Sequence, residues 1–339
     1  MAKFPKHEVI AKIIETGLVP VFYHGDVETA KKVAEACADG GSRILEFTNR
    51  GPGAYQVFAE LIKWRDLERP DIILGAGTIP DPGTAALYIN LGADFIVAPN
   101  FNPEVAKICN RRHIPYIPGC STPSEIASAE EMGTDIIKVF PADVLTPRFI
   151  KDLLGPYPWL NLMPSGGVSP SREGVEQWIK AGAKALNIGS KLLRKDLIKA
   201  GDFEAIRRNV ESCLRYIKEA RGDPIFLGVE HIGIYASEKV SAEEIADWYA
   251  EVFGFSKHEG RSSIMVSGLG AGRIEVIKKP EKGVRFHVAI RVSDFEKACR
   301  VLEEKGIALE EPIIKPGLKV VYLKERDPAG NKIHLIYQP

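Results

Sequence analysis

Eight short apolar runs, each separated from the next by a longer amphipathic segment, fill residues 18–191, and no other feature of this 339-residue chain limits its fold so tightly. The runs are LVPVFYH (18–24), ILEFTNR (44–50), IILGAGT (72–78), FIVAPN (95–100), PYIPGC (115–120), IIKVFPA (136–142), NLMPSGG (161–167) and ALNIGSK (185–191). Between them lie stretches such as VETAKKVAEACADGG, NPEVAKICNRR and SREGVEQWIKAGA. Many open on Asp, Asn, Thr or Ser with proline close by, a helix-start signal, and several close on glycine, which suits a helix end. Eight strands alternating with helices over about 200 residues predict a closed parallel (β/α)8 TIM barrel. A doubly wound open sheet is the alternative, disfavoured because eight units are present and no GxGxxG opens the first.

A last helix, FEAIRRNVESCLRYIKEARG, runs out into Gly222-Asp223-Pro224, and the rhythm changes there. HIGIYA (231–236), SSIMVSG (262–268), RIEVIKK (273–279), FHVAIRV (286–292), KVVYLKE (319–325) and KIHLIYQ (332–338) alternate in polarity as half-buried strands do. Two helices, AEEIADWYAEVFG and DFEKACRVLEEKG, interrupt them. The order strand, helix, three strands occurs twice, so the second part reads as a smaller α+β domain of two βαβββ modules. The expected domains are 1–222 and 223–339.

Positive and negative side chains balance at 45 each, so no net field draws the chain to nucleic acid or an anionic membrane. The five cysteines are odd in number and scattered, with no CxxC pair, and read as reduced thiols. The start of the chain is too charged for a signal peptide, and no apolar run approaches membrane-spanning length. A soluble cytoplasmic protein is expected.

Barrel enzymes carry their chemistry at the C-terminal ends of the strands, and the unusual residues fall there. Glu46, Thr48 and Arg50 share one parity of the second strand and face the same way. Lys138 interrupts the apolar run Ile136–Phe140 of the sixth. A buried unpaired ammonium is costly, so such a lysine loses its proton and becomes the neutral amine a Schiff-base nucleophile must be. Glu46 would then shuttle protons, and Arg50 would fork onto a carboxylate. Ser165-Gly166-Gly167 and Gly189-Ser190 follow strands seven and eight, where barrels recurrently hold phosphate on backbone N–H groups. Each feature also has a bland reading: a lysine snorkelling from a strand end, an internal ion pair of Glu46 and Arg50, glycines serving a turn. The chemical reading prevails because all of them lie at one end of one barrel.

The segments EFTNR (46–50), GAGT (75–78), IPGCST (117–122), KVFPA (138–142), PSGGV (164–168) and IGS (188–190) resemble the 2-keto-3-deoxy-6-phosphogluconate (KDPG) aldolase family, which includes 4-hydroxy-2-oxoglutarate (KHG) aldolases. The resemblance covers about residues 5–220, in order and spacing. It implies a class I lyase that cleaves a phosphorylated 2-keto-3-deoxy sugar acid to pyruvate and an aldehyde. It further implies a homotrimer that needs neither metal nor organic cofactor. Position by position, Lys138 would form the carbinolamine and imine, and Glu46 would move protons through a water. Arg50 and Thr78 would hold the pyruvate carboxylate, with Gly166, Gly167, Gly189 and Ser190 around the phosphate. Ser165 stands where threonine is usual in the phosphogluconate enzymes, and the APN of residues 98–100 is closer to the phosphogalactonate branch.

In the second domain His231, His287, His334 and Glu275 sit one per strand on strands of alternating pattern. Together they would suit a divalent ion such as zinc, nickel, iron(II) or manganese. Equally, the polar face of a half-buried strand is where solvated His and Glu belong. HIGIYA, EVFGF, IEV, HVAIRV and DPAGNKIHLI resemble the vicinal oxygen chelate (glyoxalase-like) superfamily over about residues 229–338. The resemblance places its four ligand positions on His231, Glu275, His287 and His334, the last departing from the more common glutamate. It implies either a metal-dependent glyoxalase- or dioxygenase-like enzyme, making the chain bifunctional, or a ligand-binding or assembly module beside a single aldolase. Triose phosphate released by an aldolase can eliminate phosphate to methylglyoxal, a glyoxalase-type substrate, which would link the two halves.

Overall fold

Asp26, Asp81, Asn102, Thr122 and Ser171 each accept a hydrogen bond from a first-turn backbone N–H of the helix they precede, satisfying donors that a helix start leaves open. Prolines 82, 103 and 123 occupy the first helical position of three of these helices. The computed structural model describes residues 2–268, 272–279, 284, 286–315 and 317–338, and divides into two units, Met1–Gly222 and Asp223–Pro339.

In the first unit the order is α1 (Lys6–Thr16), β1 (Leu18–Phe22), α2 (Val27–Asp39), β2 (Ile44–Thr48), α3 (Ala54–Glu68), β3 (Ile73–Gly77), α4 (Pro82–Leu91), β4 (Ile96–Val97) and α5 (Pro103–Arg111). It continues with β5 (Tyr116–Ile117), β6 (Gly119–Cys120), α6 (Pro123–Glu131), β7 (Ile137–Val139), α7 (Ala142–Leu153), β8 (Leu162–Pro164), α8 (Arg172–Lys180), β9 (Leu186–Ile188), α9 (Lys195–Ala200) and α10 (Phe203–Arg221). All pairings are parallel. Strands β5 and β6 fill one barrel position, broken at Pro118, which has no N–H to give but whose carbonyl accepts from Lys138 N at 2.9 Å. A bridge between Ser165 and Asn187 joins β8 to β9, and β9 pairs β1, so eight strand positions close into a ring.

Inward positions rise in layers two residues apart. Val19, Ile44, Ile73, Phe95, Val97, Ile117, Ile136, Met163 and Ala185 pack with Val9 and Ile13 of α1, which plugs the N-terminal end. One step toward the C-terminal end the layer changes character: Glu46, Gly75, Gly119, Lys138, Ser165 and Asn187. A Cβ on Gly75 would overlap the Phe95 ring, so glycine there is a packing requirement.

The second unit contains β10 (Phe226–Tyr235), α11 (Ala242–Phe253), β11 (Ser256–Glu259), β12 (Ser263–Ser267), β13 (Arg273–Ile277), β14 (Phe286–Val292), α12 (Phe295–Glu304), β15 (Ile313–Lys315), β16 (Leu318–Tyr322) and β17 (Lys332–Tyr337). They form one sheet in the order β11-β12-β13-β10-β14-β17-β16-β15. Two strands, β11 and β15, lie outside the six runs read from the sequence. Both are edge strands exposed along their whole length, so neither carries an apolar alternation.

Candidate active site and metal centre

The C-terminal mouth of the barrel opens a cavity of about 400 Å³ lined by Val21, Thr48, Arg50, Thr78, Lys138, Phe140, Ser165 and Asn187 among others. Gly166, Gly167, Gly189 and Ser190 line the same cavity. Lys138 is buried, and its Nζ lies 4.0 Å from Glu46 Oε1. Burial pushes its ammonium pKa down; the Glu46 carboxylate opposes this, and the Arg50 guanidinium reinforces it. The net direction is below the ordinary lysine value, toward free amine.

Glu46 sits just behind the cavity wall, fully buried. A Cβ on Gly77, beside it on β3, would overlap its carboxylate, so glycine makes the room it occupies. Its Oε2 accepts from Asn187 Nδ2 at 2.8 Å, and Asn187 Oδ1 accepts from the Ser165 hydroxyl at 2.6 Å. Thr48, third on the same parity as Glu46 and Arg50, donates instead to Phe22 O at 3.3 Å. Thr78 has φ +61°, left-handed backbone that a β-branched residue rarely adopts, and this strain falls at the cavity rim. Gly166 and Gly167 also have positive φ, at +86° and +80°.

Lys191 and Lys195 reach the same rim, and Lys191 Nζ donates to Gly167 O at 2.6 Å. These two cations and Asn187 are among the cavity residues that sequence reading passed over. Asn187 interrupts an apolar run as Lys138 does, so the signal was present.

In the second unit the four expected ligands lie on four adjacent central strands: Glu275 on β13, His231 on β10, His287 on β14 and His334 on β17. Gly233 pairs with both Glu275 and His287, and a Cβ on it would overlap the His287 imidazole, so this glycine forms the cradle. His231 Nε2 lies 3.1 Å from His287 Nε2 and 3.2 Å from Glu275 Oε2, and the last two are 3.3 Å apart. A ring nitrogen of His334 completes a histidine set whose donor atoms all lie within 4.8 Å. The three histidines are buried, so the solvated-face reading does not hold for them. At the start of β14 the burial is the reverse of what polarity suggests, with His287 1% and Phe286 43% exposed, while at its end Arg291 is exposed and Val292 buried.

Donors sharing one ion at ~2.1 Å stand about 3.0 Å apart when cis in an octahedron and about 3.4 Å apart in a tetrahedron. The observed triangle lies between these. His231 Nδ1 contacts the buried Glu230 carboxylate, the outer partner a ligating imidazole usually has. Glu230 was not anticipated. Burial works against charge on His231, but Glu230 and Glu275 outweigh it and hold its pKa at about 9; burial, with His287 and His231 adding to it, pushes His334 down to about 3.

Residues 9–209 match the family model described as KDPG and KHG aldolase, and residues 228–335 that of the Glyoxalase/Bleomycin resistance protein/Dioxygenase superfamily. A 2-dehydro-3-deoxy-phosphogluconate aldolase of Haemophilus influenzae is 31% identical over 216 residues, 63% of this chain and 99% of that one. A KHG/KDPG aldolase of Escherichia coli K12 is 31% identical over 198 residues, 58% of this chain and 90% of its own. Among solved structures, KDPG aldolase of Legionella pneumophila, with pyruvate captured as a covalent carbinolamine, superposes with a TM-score of 0.56 at 28% identity. That match covers 62% of this chain and 98% of the other.

Proposed function

The chain belongs to the KDPG and KHG aldolase family and is a Schiff-base carbon–carbon lyase, and from that premise we propose that Lys138, Glu46 and Arg50 form its catalytic set. The observation that supports this most is a desolvated amine 4.0 Å from a buried carboxylate at the mouth of a closed barrel. The amine of Lys138 adds to the substrate keto carbon, and loss of water gives an imine. The C3–C4 bond then breaks as a proton leaves the C4 hydroxyl, and the imine takes up the electron pair. Protonation at C3 and hydrolysis release pyruvate and regenerate the amine. Glu46 moves these protons through a water; Arg50 and Thr78 hold the carboxylate.

For the far end of the substrate the reading is a phosphate held by Gly166, Gly167, Gly189 and Ser190, with Ser165 beside them. Lys191 and Lys195 at that rim favour a phosphorylated keto-deoxy sugar acid over the unphosphorylated 4-hydroxy-2-oxoglutarate. A homotrimer in the cytoplasm belongs to the same reading and is supported by family membership; no described helix is long and apolar enough to cross a membrane.

Glu46→Gln tests the division of labour. The amide keeps the size of the carboxylate but takes up no proton, so kcat is expected to fall by about 10²–10⁴-fold while the KM for KDPG moves by less than about threefold. Steady-state assay of pyruvate release from KDPG measures both; equal losses in the two would mean that Glu46 only shapes the barrel.

For the second unit the reading is a divalent metal centre of His231, Glu275, His287 and His334. The donor triangle, the Gly233 cradle and the carboxylate behind His231 support it. A bound ion would supply Lewis acidity toward a ligand offering two neighbouring oxygens, as a glyoxalase- or dioxygenase-like activity requires. Glu230→Gln keeps the shape but withdraws the charge behind His231, and is expected to weaken metal binding by about 10–100-fold. Competition against a metal-chelating dye reads this directly; unchanged affinity would remove Glu230 from the site.

A further inference from the structure

One buried polar side chain in the barrel, Asn187, has no part in the chemistry assigned to Lys138, Glu46 and Arg50. Its Nδ2 faces two acceptors, Glu46 Oε2 at 2.8 Å and Val19 O at 3.3 Å. Neither can donate when Glu46 is ionised, so the amide must present its NH2 group to them and turn its oxygen the other way. That oxygen meets the Ser165 hydroxyl at 2.6 Å, which must therefore donate. Asn187 is 1% exposed, and both N–H groups and its carbonyl are engaged, so the amide cannot flip without stranding buried polar atoms.

We propose that Asn187 is a positioning residue that pins Oε2 of Glu46 and leaves Oε1 alone to face the Lys138 amine. The proposal rests on Lys138 and Glu46 being the reacting pair. The carboxylate is held from two sides: Asn187 engages Oε2, and the backbone of Gly77 closes against the Oε1 side with no Cβ between. A carboxylate free to rotate would offer Lys138 and the substrate C3 a changing set of lone pairs; this one offers a single fixed oxygen at 4.0 Å. The same line of bonds determines what Ser165 does. Its proton is committed to Asn187, so toward the cavity Ser165 accepts from a substrate hydroxyl and does not donate to a substrate carboxylate or phosphate.

The test separates imine formation from the proton transfer that follows it. Full-length wild type, Asn187→Leu and Asn187→Asp are each equilibrated with pyruvate. Borohydride reduction read by intact mass gives the fraction of Lys138 in the imine, and loss of the pyruvate methyl proton signal in D2O gives the rate of deprotonation at C3. In Asn187→Leu the trapped fraction is expected to stay within about twofold of wild type while exchange slows by about 10–100-fold. Asn187→Asp, equal in shape but carrying a carboxylate toward Glu46, is expected to show the same split and decides the matter if the leucine variant does not fold. Exchange within about threefold of wild type in either folded variant would overturn the proposal. So would parallel loss of trapping and exchange, which would make Asn187 a support for the whole pocket. Wild-type protein that traps no pyruvate would overturn the reading of Lys138, and this proposal with it.

Discussion

Lys138→Met is expected to abolish the pyruvate adduct and to lower aldol cleavage by about 10⁴-fold or more, the scale on which losing an essential nucleophile acts. Methionine matches the length of the lysine stem and has no charge to bury, so the barrel should fold as before, checked by far-UV circular dichroism. Borohydride reduction with pyruvate, read by intact mass, gives the decisive result; an undiminished adduct in the variant would move the nucleophile elsewhere. The wild-type amine also makes a pH prediction. Burial favours the neutral form, Glu46 opposes it and Arg50 reinforces it, with a net lowering. A lowered pKa means that free amine accumulates at lower pH than for an exposed lysine. The rate of adduct formation should therefore rise with pH and level off below the ordinary lysine range of about 10.4. A rate still climbing through that range would contradict a desolvated Lys138.

Which parts of this site were legible in the sequence follows from how strongly each residue offends its surroundings. Lys138 stands out because an ammonium in an apolar strand has no bland solution except a strand end. Asn187 sits in an equally apolar run, but an uncharged amide can be satisfied inside a core, so its presence there draws less notice. The common direction of Glu46, Thr48 and Arg50 was readable from strand parity, since a regular strand repeats every two residues. Parity misleads where the strand is irregular. Glu230 and His231 are neighbours and should face opposite ways, yet β10 shifts register between Val229 and His231 relative to β14, and the two side chains meet. Polarity also misled on β14: the buried face of that strand carries the metal-ligand candidate His287, while Phe286 lies outward. A face that converges on one point can bury polar groups as fully as an apolar core does, provided they partner one another.

His287→Ala is the substitution with the largest expected effect in the second unit, because His287 lies within 3.3 Å of two other donors and is 1% exposed. Wild-type protein purified without chelators or a polyhistidine tag should carry close to one divalent ion per chain by inductively coupled plasma mass spectrometry, and the variant almost none. Removing one ligand leaves His231, Glu275 and His334, which still gather but no longer complete the triangle. A second readout follows from linkage. Metal that binds only the folded state stabilises it by about 2.7 kcal/mol at a hundred times its Kd, so adding the ion should raise the melting temperature of wild type and leave the variant unmoved. Failure of wild type to take up zinc, nickel, iron(II) or manganese after reconstitution would mean that the donors hold one another through shared protons instead. The second unit would then be a ligand-binding or assembly module, and all the chemistry of the chain would lie at Lys138. Stoichiometric metal lost in the variant would instead justify screening substrates with two adjacent oxygens, beginning with the hemithioacetal of methylglyoxal.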